Sequence, residues 1–421
     1  MEERKRILLL GGTGAIGTHV APELIRRGFS VAVTSREPHE QDGTGISYRQ
    51  GNAKDDTFLD ALLEEGFKYL FFRLAVGKCA EEGFDAVVDF MIYSTEAFQK
   101  RAEKLMKHTA HYVFLSSYRV YGDCGCAPIT EESPRLLDSV DDPEYLKTDE
   151  YGLAKARQED ILRASGYGNY TIVRPSICYA GDRFQLGTME ANEFLVRALN
   201  GKPVVFPKEM LDRRAAMTWA GDVGKMIARL VLNEAAYGEA YTAASAETVT
   251  WNNVLKIYQK ILGFQVRYVP LRTYAEIVGR PWQIKYDRML HRIVDNTKIL
   301  LVTGMKQSEL MPLYQGLRIE LQSFAADPHY KRVDEAMQKR FDEVSSEPVK
   351  KPAPVKKPEP EKKPEPKPVP AQREKGVKGM LHRVRDYRKR RVLRKVVKQK
   401  LYGITPLRKA VHGMKKLLNR K

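Results

Sequence analysis

The chain has 421 residues and 43% hydrophobic content, enough for a sizeable core and too many residues for one average domain, so a globular body with an appendage is expected. Its net charge of +18 is uneven: residues 372–421 hold 19 Lys/Arg against 2 acidic residues, residues 345–371 hold 7 against 4, and residues 1–344 hold 45 against 47. The body is therefore nearly neutral, which excludes reading the whole chain as a nucleic-acid enzyme from its overall basicity. The cysteines Cys79, Cys124, Cys126 and Cys178 form neither a disulfide framework nor a zinc pattern, so no metal site is expected. The opening Met-Glu-Glu-Arg-Lys-Arg precedes only four strongly apolar residues, too short a run for a signal segment, and no run approaches the roughly 18 residues of a membrane span. A cytoplasmic body is expected.

In chain order, Ile7-Leu8-Leu9-Leu10 is an apolar run of strand length that feeds Gly11-Gly12-Thr13-Gly14-Ala15-Ile16-Gly17. A helix-like stretch follows at once, from Thr18 to Arg27. Strand, glycine turn and helix in that order bring backbone N–H groups and the helix dipole to a dinucleotide pyrophosphate. The glycines are spaced G-x-x-G-x-x-G (Gly11, Gly14, Gly17). Val31-Ala32-Val33 reads as a second strand ending in Thr34-Ser35-Arg36. An acidic residue there would bind the ribose hydroxyls of NAD; Ser35 and Arg36 offer a hydroxyl and a cation, which suit the 2′-phosphate of NADP. NADP is favoured over NAD on this ground.

Further strands are predicted over 46–50, 85–90, 111–117 and 170–175, with helical patterns between them. The alternation predicts an α/β fold, a doubly wound parallel Rossmann sheet. Residues 1–175 form its cofactor-binding core, and residues 176–340 a smaller substrate lobe with the remaining core elements. Residues 341–371, rich in Pro, Lys and Glu, read as an extended linker without a core. Residues 372–421 read as a basic helical tail. Thr405 and Pro406 suit a helix start, and Leu407, Val411, Met414, Leu417 and Leu418 share one side of that helix. Such a helix suits an anionic membrane surface or an acidic partner, with nucleic acid less favoured because only Tyr387 and Tyr402 could stack on bases; a solvated tail without a specific role is the plain alternative.

Tyr151 and Lys155 stand at i and i+4 of a helical stretch and so share a face. An ordinary phenol, with a pKa of about 10, is a poor base at neutral pH, and a fixed neighbouring cation stabilises its phenolate. Such a tyrosine can exchange a proton with a substrate hydroxyl while hydride moves to or from nicotinamide. Ser116-Ser117-Tyr118-Arg119-Val120-Tyr121-Gly122 ends the fifth strand, and Ser117 can orient the reacting oxygen.

These motifs, with Arg174-Pro175-Ser176-Ile177-Cys178-Tyr179, resemble the short-chain dehydrogenase/reductase superfamily in its extended, NAD-dependent epimerase/dehydratase branch, over about residues 6–330. The resemblance implies Ser117 as substrate-orienting hydroxyl, Tyr151 as acid/base, and Lys155 as partner of tyrosine and nicotinamide ribose. It implies that the segment from Pro175 touches the nicotinamide end, and that the turn residues Gly11, Thr13, Gly14, Ile16 and Gly17 hold the pyrophosphate. It further implies a nucleotide-sugar substrate and a homodimer. Three departures stand out. The fourth strand ends in Asp89-Phe90-Met91-Ile92-Tyr93 where the family has a His-x-Ala-Ala-like run. Lys68 to Glu82 looks like an insertion. Arg213 and Arg214, the candidate substrate-pyrophosphate cations, fall one or two positions out of register. In these departures the chain resembles atypical members, including a chloroplast stem-loop-binding group. A Rossmann scaffold that binds RNA or another polyanion through its basic tail, or serves as a redox sensor, is accordingly the alternative to an enzyme.

Overall fold

The computed structural model describes residues 4–40, 43–64, 84–330 and 332–346. The described residues all fall in one compact unit, Met1–Val349. The basic tail and nearly all of the expected linker lie outside the described residues, as do Cys79 and the insertion at 68–82.

Six apolar runs form the strands β1 (Arg6–Leu10), β2 (Ser30–Ser35), β3 (Ile46–Gln50), β4 (Ala86–Asp89), β5 (His111–Leu115) and β6 (Tyr170–Pro175). A seventh, Ala240–Ala243, joins them in a parallel sheet ordered β3-β2-β1-β4-β5-β6 and then Ala240–Ala243 among the described residues. Helices cover both faces, so the inner strands are apolar on both sides: Ile7 to Leu10 and Ala86 to Val88 are fully buried. The chain first runs outward from β1 through β2 to β3, then returns to β4 on the other side of β1 and proceeds outward again. That reversal opens a crevice at the carboxyl ends of β1 and β4, the place where such sheets bind ligands.

Buried polar residues within the sheet are matched to partners. His111 on β5 accepts the Leu232 N–H at Nδ1 (2.9 Å), and its Nε2 lies 2.8 Å from Thr171 Oγ1 on β6. The helices Thr95–Lys107 and Tyr151–Ala164 make the crossovers after β4 and β5.

Beyond β6 the chain builds a second core around Phe194, Phe206, Trp251, Tyr258 and Leu317. Short strands frame it: Ile177–Tyr179 lies parallel to Met217–Trp219, and Val204–Pro207 parallel to Val266–Val269. The helix Ala220–Leu230 and the strand Ala240–Ala243 return from this region to the sheet. The helix Glu335–Ser346 crosses position 340, and its Phe341 is fully buried in the second core, so packed structure extends into the expected linker. No helix among the described residues is long and apolar enough to cross a membrane.

Candidate active site

The glycine turn leaves β1 at Leu10. Gly11 holds φ +71°, a left-handed conformation that favours glycine, and its N–H donates to Thr34 Oγ1 at 2.8 Å. A Cβ on Gly17 would collide with the Gly12 carbonyl, so Gly17 serves close packing of turn against helix. Gly14 is different: a Cβ there would meet nothing within 4 Å, although the residue lines the crevice. Its bareness meets no need of the protein's own packing and leaves room for a ligand at the backbone. The helix Gly17–Arg26 begins beside it with no side-chain cap at Ile16 and no acidic residue in its first turn. Gly17, its first residue, lines the crevice, while the Thr18 and His19 N–H groups are taken by the Gly14 and Ile16 carbonyls; the positive end of the helix dipole there has no internal anion, which fits a phosphate.

Across the crevice, β5 is followed by Ser116 and Ser117, whose hydroxyls make different contacts. Ser116 Oγ donates to Glu159 Oε1 at 2.6 Å. Ser117 Oγ accepts the Arg119 N–H at 3.2 Å, which leaves its own proton to donate. Tyr151 is the first residue of the helix Tyr151–Ala164, capped by Glu150, whose carboxylate accepts the Gly152 N–H at 2.9 Å. Glu150 also pairs with Arg119, whose guanidinium lies 5.2 Å from the Tyr151 ring centroid. One turn on, Lys155 is buried; Nζ donates to the Leu115 carbonyl at 2.8 Å and sits 4.5 Å from the Phe114 ring centroid. Burial lowers the Lys155 ammonium to about 8, with Asp89 and Glu159 pulling the other way.

Two buried clusters brace these elements. Glu159, on the same helix as Lys155, accepts Arg174 Nε at 2.8 Å and Nη2 at 2.6 Å as well as Ser116. One carboxylate thus ties β5, β6 and the Tyr151–Ala164 helix together, and these guanidinium and hydroxyl donors keep its pKa low against burial, which by itself would raise it. Asp89, at the end of β4, accepts Tyr112 Oη at 2.9 Å and the Met91 N–H at 2.9 Å; burial raises its pKa.

Gly11, Gly14, Ile16, Gly17, Ser117 and Tyr151 line one crevice, together with Lys155 and Pro175. Thr13 is exposed and is not among the residues lining it. Ser35 and Arg36 stand at the end of β2. The Ser35 hydroxyl is buried and engaged, 2.9 Å from His39 Nε2 and accepting the Glu37 N–H at 3.2 Å, whereas Arg36 is exposed. Arg213 and Arg214 are not among the residues lining this crevice: Arg213 Nη1 is 3.3 Å from His291 Nε2, and Arg214 pairs with Thr250 in a short antiparallel ladder. Cys124 and Cys126 are free thiols, and no His/Cys/Asp/Glu group suited to a metal occurs among the described residues. Sequence reasoning overlooked Arg183 and Ile92, which also line the crevice. Phe90 and Ile92 could have been found, since they directly follow β4; Arg183, eight residues past Pro175, carried no local signal.

The sequence matches the NAD dependent epimerase/dehydratase family over residues 7–244. Among curated proteins it is similar to the chloroplast stem-loop binding protein of 41 kDa b of Arabidopsis thaliana, 25% identical over 278 residues, 62% of this chain and 64% of that protein. It is also similar to a UDP-glucose 4-epimerase of Neisseria meningitidis, 29% identical over 169 residues, 38% of this chain and 47% of the epimerase. The chain thus spans between about half and two thirds of the length of these relatives. Among solved structures, dTDP-glucose 4,6-dehydratase of Bacillus anthracis in complex with NAD shares the fold, with a TM-score of 0.56 at 17% identity, over 77% of this chain and 97% of that one. With the glycine turn, the parallel sheet and a family match over more than half its length, the chain belongs to the NAD dependent epimerase/dehydratase family.

Proposed function

We propose that the crevice binds a nicotinamide dinucleotide, with NADP favoured over NAD, and that the chain epimerises, dehydrates or reduces a nucleotide sugar or related hydroxy/keto compound. The observation that carries this reading is the meeting of Gly14, Ser117, Tyr151 and Lys155 in one crevice at the sheet's switch point. Backbone at Gly14 and the start of the Gly17–Arg26 helix would hold the pyrophosphate, Arg36 the 2′-phosphate, and Lys155 the nicotinamide ribose. The bound cofactor supplies the hydride donor or acceptor. Ser117 Oγ, with its proton free, orients the substrate oxygen. Tyr151 Oη, which no described residue engages in a hydrogen bond, exchanges the proton with that oxygen. The Lys155 ammonium favours negative charge developing on the phenol.

The test is a panel of nucleotide sugars offered to purified protein with NADPH or NADH, following nicotinamide absorbance and product stereochemistry. Tyr151→Phe is expected to lower turnover by about 10²- to 10⁴-fold while NADPH affinity stays within about twofold, since the hydroxyl serves chemistry and not binding. Undiminished turnover in that variant would remove Tyr151 from the reaction.

A second reading, RNA binding, is favoured by the similarity to the chloroplast stem-loop binding protein. It expects the full chain to bind a hairpin RNA with an affinity that falls steeply with salt, and residues 1–349 alone to lose that binding. Equal binding by both chains would acquit the tail, and no salt-sensitive binding by the full chain would end the reading.

A further inference from the structure

The charged side chains lining the crevice are Lys155 and Arg183, both cationic, and no carboxylate among the described residues lines it with them. Their situations differ. The Lys155 ammonium is buried against the Leu115 carbonyl. Arg183 is exposed, and none of the ion pairs or hydrogen bonds among the described residues engages its guanidinium. Other arginines of the body pair with carboxylates. Arg119 pairs with Glu150, Arg174 with Glu159, and Arg288 and Arg292 with the buried Asp287.

The backbone that carries Arg183 is held in place. The strand Ile177–Tyr179 runs into a turn in which the Arg183 N–H donates to the Ala180 carbonyl at 3.0 Å and Gly181 takes φ +58°. The Gly181 N–H donates to Glu320 Oε2 at 2.9 Å, and the other oxygen of that carboxylate accepts Trp219 Nε1 at 2.7 Å. A fixed turn therefore presents an unneutralised guanidinium to a crevice whose glycine turn already offers a helix N-terminus free of acidic side chains. A guanidinium that keeps no internal partner at such a place is suited to bidentate recognition of a phosphate.

We propose that Arg183 is a second anion-binding position of the crevice, taking a phosphate of a bound nucleotide in addition to the one at the glycine turn. The inference rests on the reading of the crevice as a nucleotide site. The phosphate can come from the dinucleotide's pyrophosphate or from the diphosphate of a nucleotide substrate, and two titrations separate these sources. In the first, NADPH fluorescence is followed on adding wild type, Arg183→Gln or Arg183→Lys. In the second, UDP is titrated calorimetrically into each protein saturated with NADPH.

Loss of a charged hydrogen bond predicts binding about 10- to 100-fold weaker in Arg183→Gln in one of the two titrations, with partial recovery in Arg183→Lys. The weakened titration identifies the source. Arg272→Gln, which removes an exposed charge outside the crevice, is expected to change neither. Because Arg183 is exposed, the thermal midpoints of all variants should match wild type. If wild type binds both ligands and Arg183→Gln binds both within twofold, Arg183 has no such role and the nucleotide site stands. If wild type binds neither, the nucleotide site itself fails and this inference with it.

Discussion

Lys155 joins a buried position to a proposed functional one, and its titration follows from that conflict. Burial lowers the ammonium to about 8 from an ordinary 10.5, and the carboxyl groups of Asp89 and Glu159 recover only part of the loss. The unfolded chain holds the proton up to the ordinary value, so between about 8 and 10.5 it binds more protons than the folded chain and stability rises with pH. Under the proposed function activity should run the other way, because the ammonium proposed to assist Tyr151 disappears over the same range. We expect kcat/KM to fall along an alkaline limb near pH 8 in the free enzyme, and Lys155→Arg to move that limb upward, since a guanidinium keeps its proton there. A profile flat to pH 10 in wild type would show that the charge of Lys155 has no part in turnover. The glycines of the turn also divide by role. Gly11 and Gly17 answer to backbone conformation and packing, whereas Gly14 faces open space.

The elements that carry Ser117, Tyr151 and Pro175 are β5, the Tyr151–Ala164 helix and β6, and Glu159 holds all three. Removing one partner of a fully buried ion pair leaves the other charge stranded, at a cost of about 3–5 kcal/mol. Glu159→Gln should therefore lower unfolding free energy by that order in urea, and a loss below about 1 kcal/mol would mean that the Arg174 charge finds another partner. The strands and the glycine turn were legible because two-sided burial demands continuous apolar runs and because the turn's spacing is local. Tyr151 and Lys155 were legible for the same reason, being one helical turn apart. The rest depended on contacts distant in sequence. The return of Ala240–Ala243 to the sheet and the gathering of Arg119, Arg288 and Arg292 around Asp287 are likewise products of tertiary packing. The pairing of Arg214 with Thr250 in a short ladder is another such contact.

At the scale of the molecule, charge and chemistry are divided along the chain. The nearly neutral body holds the crevice, and residues 372–421 hold 19 Lys/Arg against 2 acidic residues. That division makes a tail-borne interaction and a nucleotide-dependent reaction separable by experiment. The proposed function depends most on the crevice being a dinucleotide site, and Gly14 is the residue through which to test it. Filling open space at a lining position should block a ligand without disturbing the fold. The direct measurement is a fluorescence titration of NADPH with wild type and Gly14→Val. Wild type is expected to bind NADPH saturably at one site, the variant to lose that binding, and the two proteins to share a thermal midpoint. Saturable binding of equal strength in both proteins, or no saturable binding by wild type to NADPH or NADH, would contradict the proposed dinucleotide site.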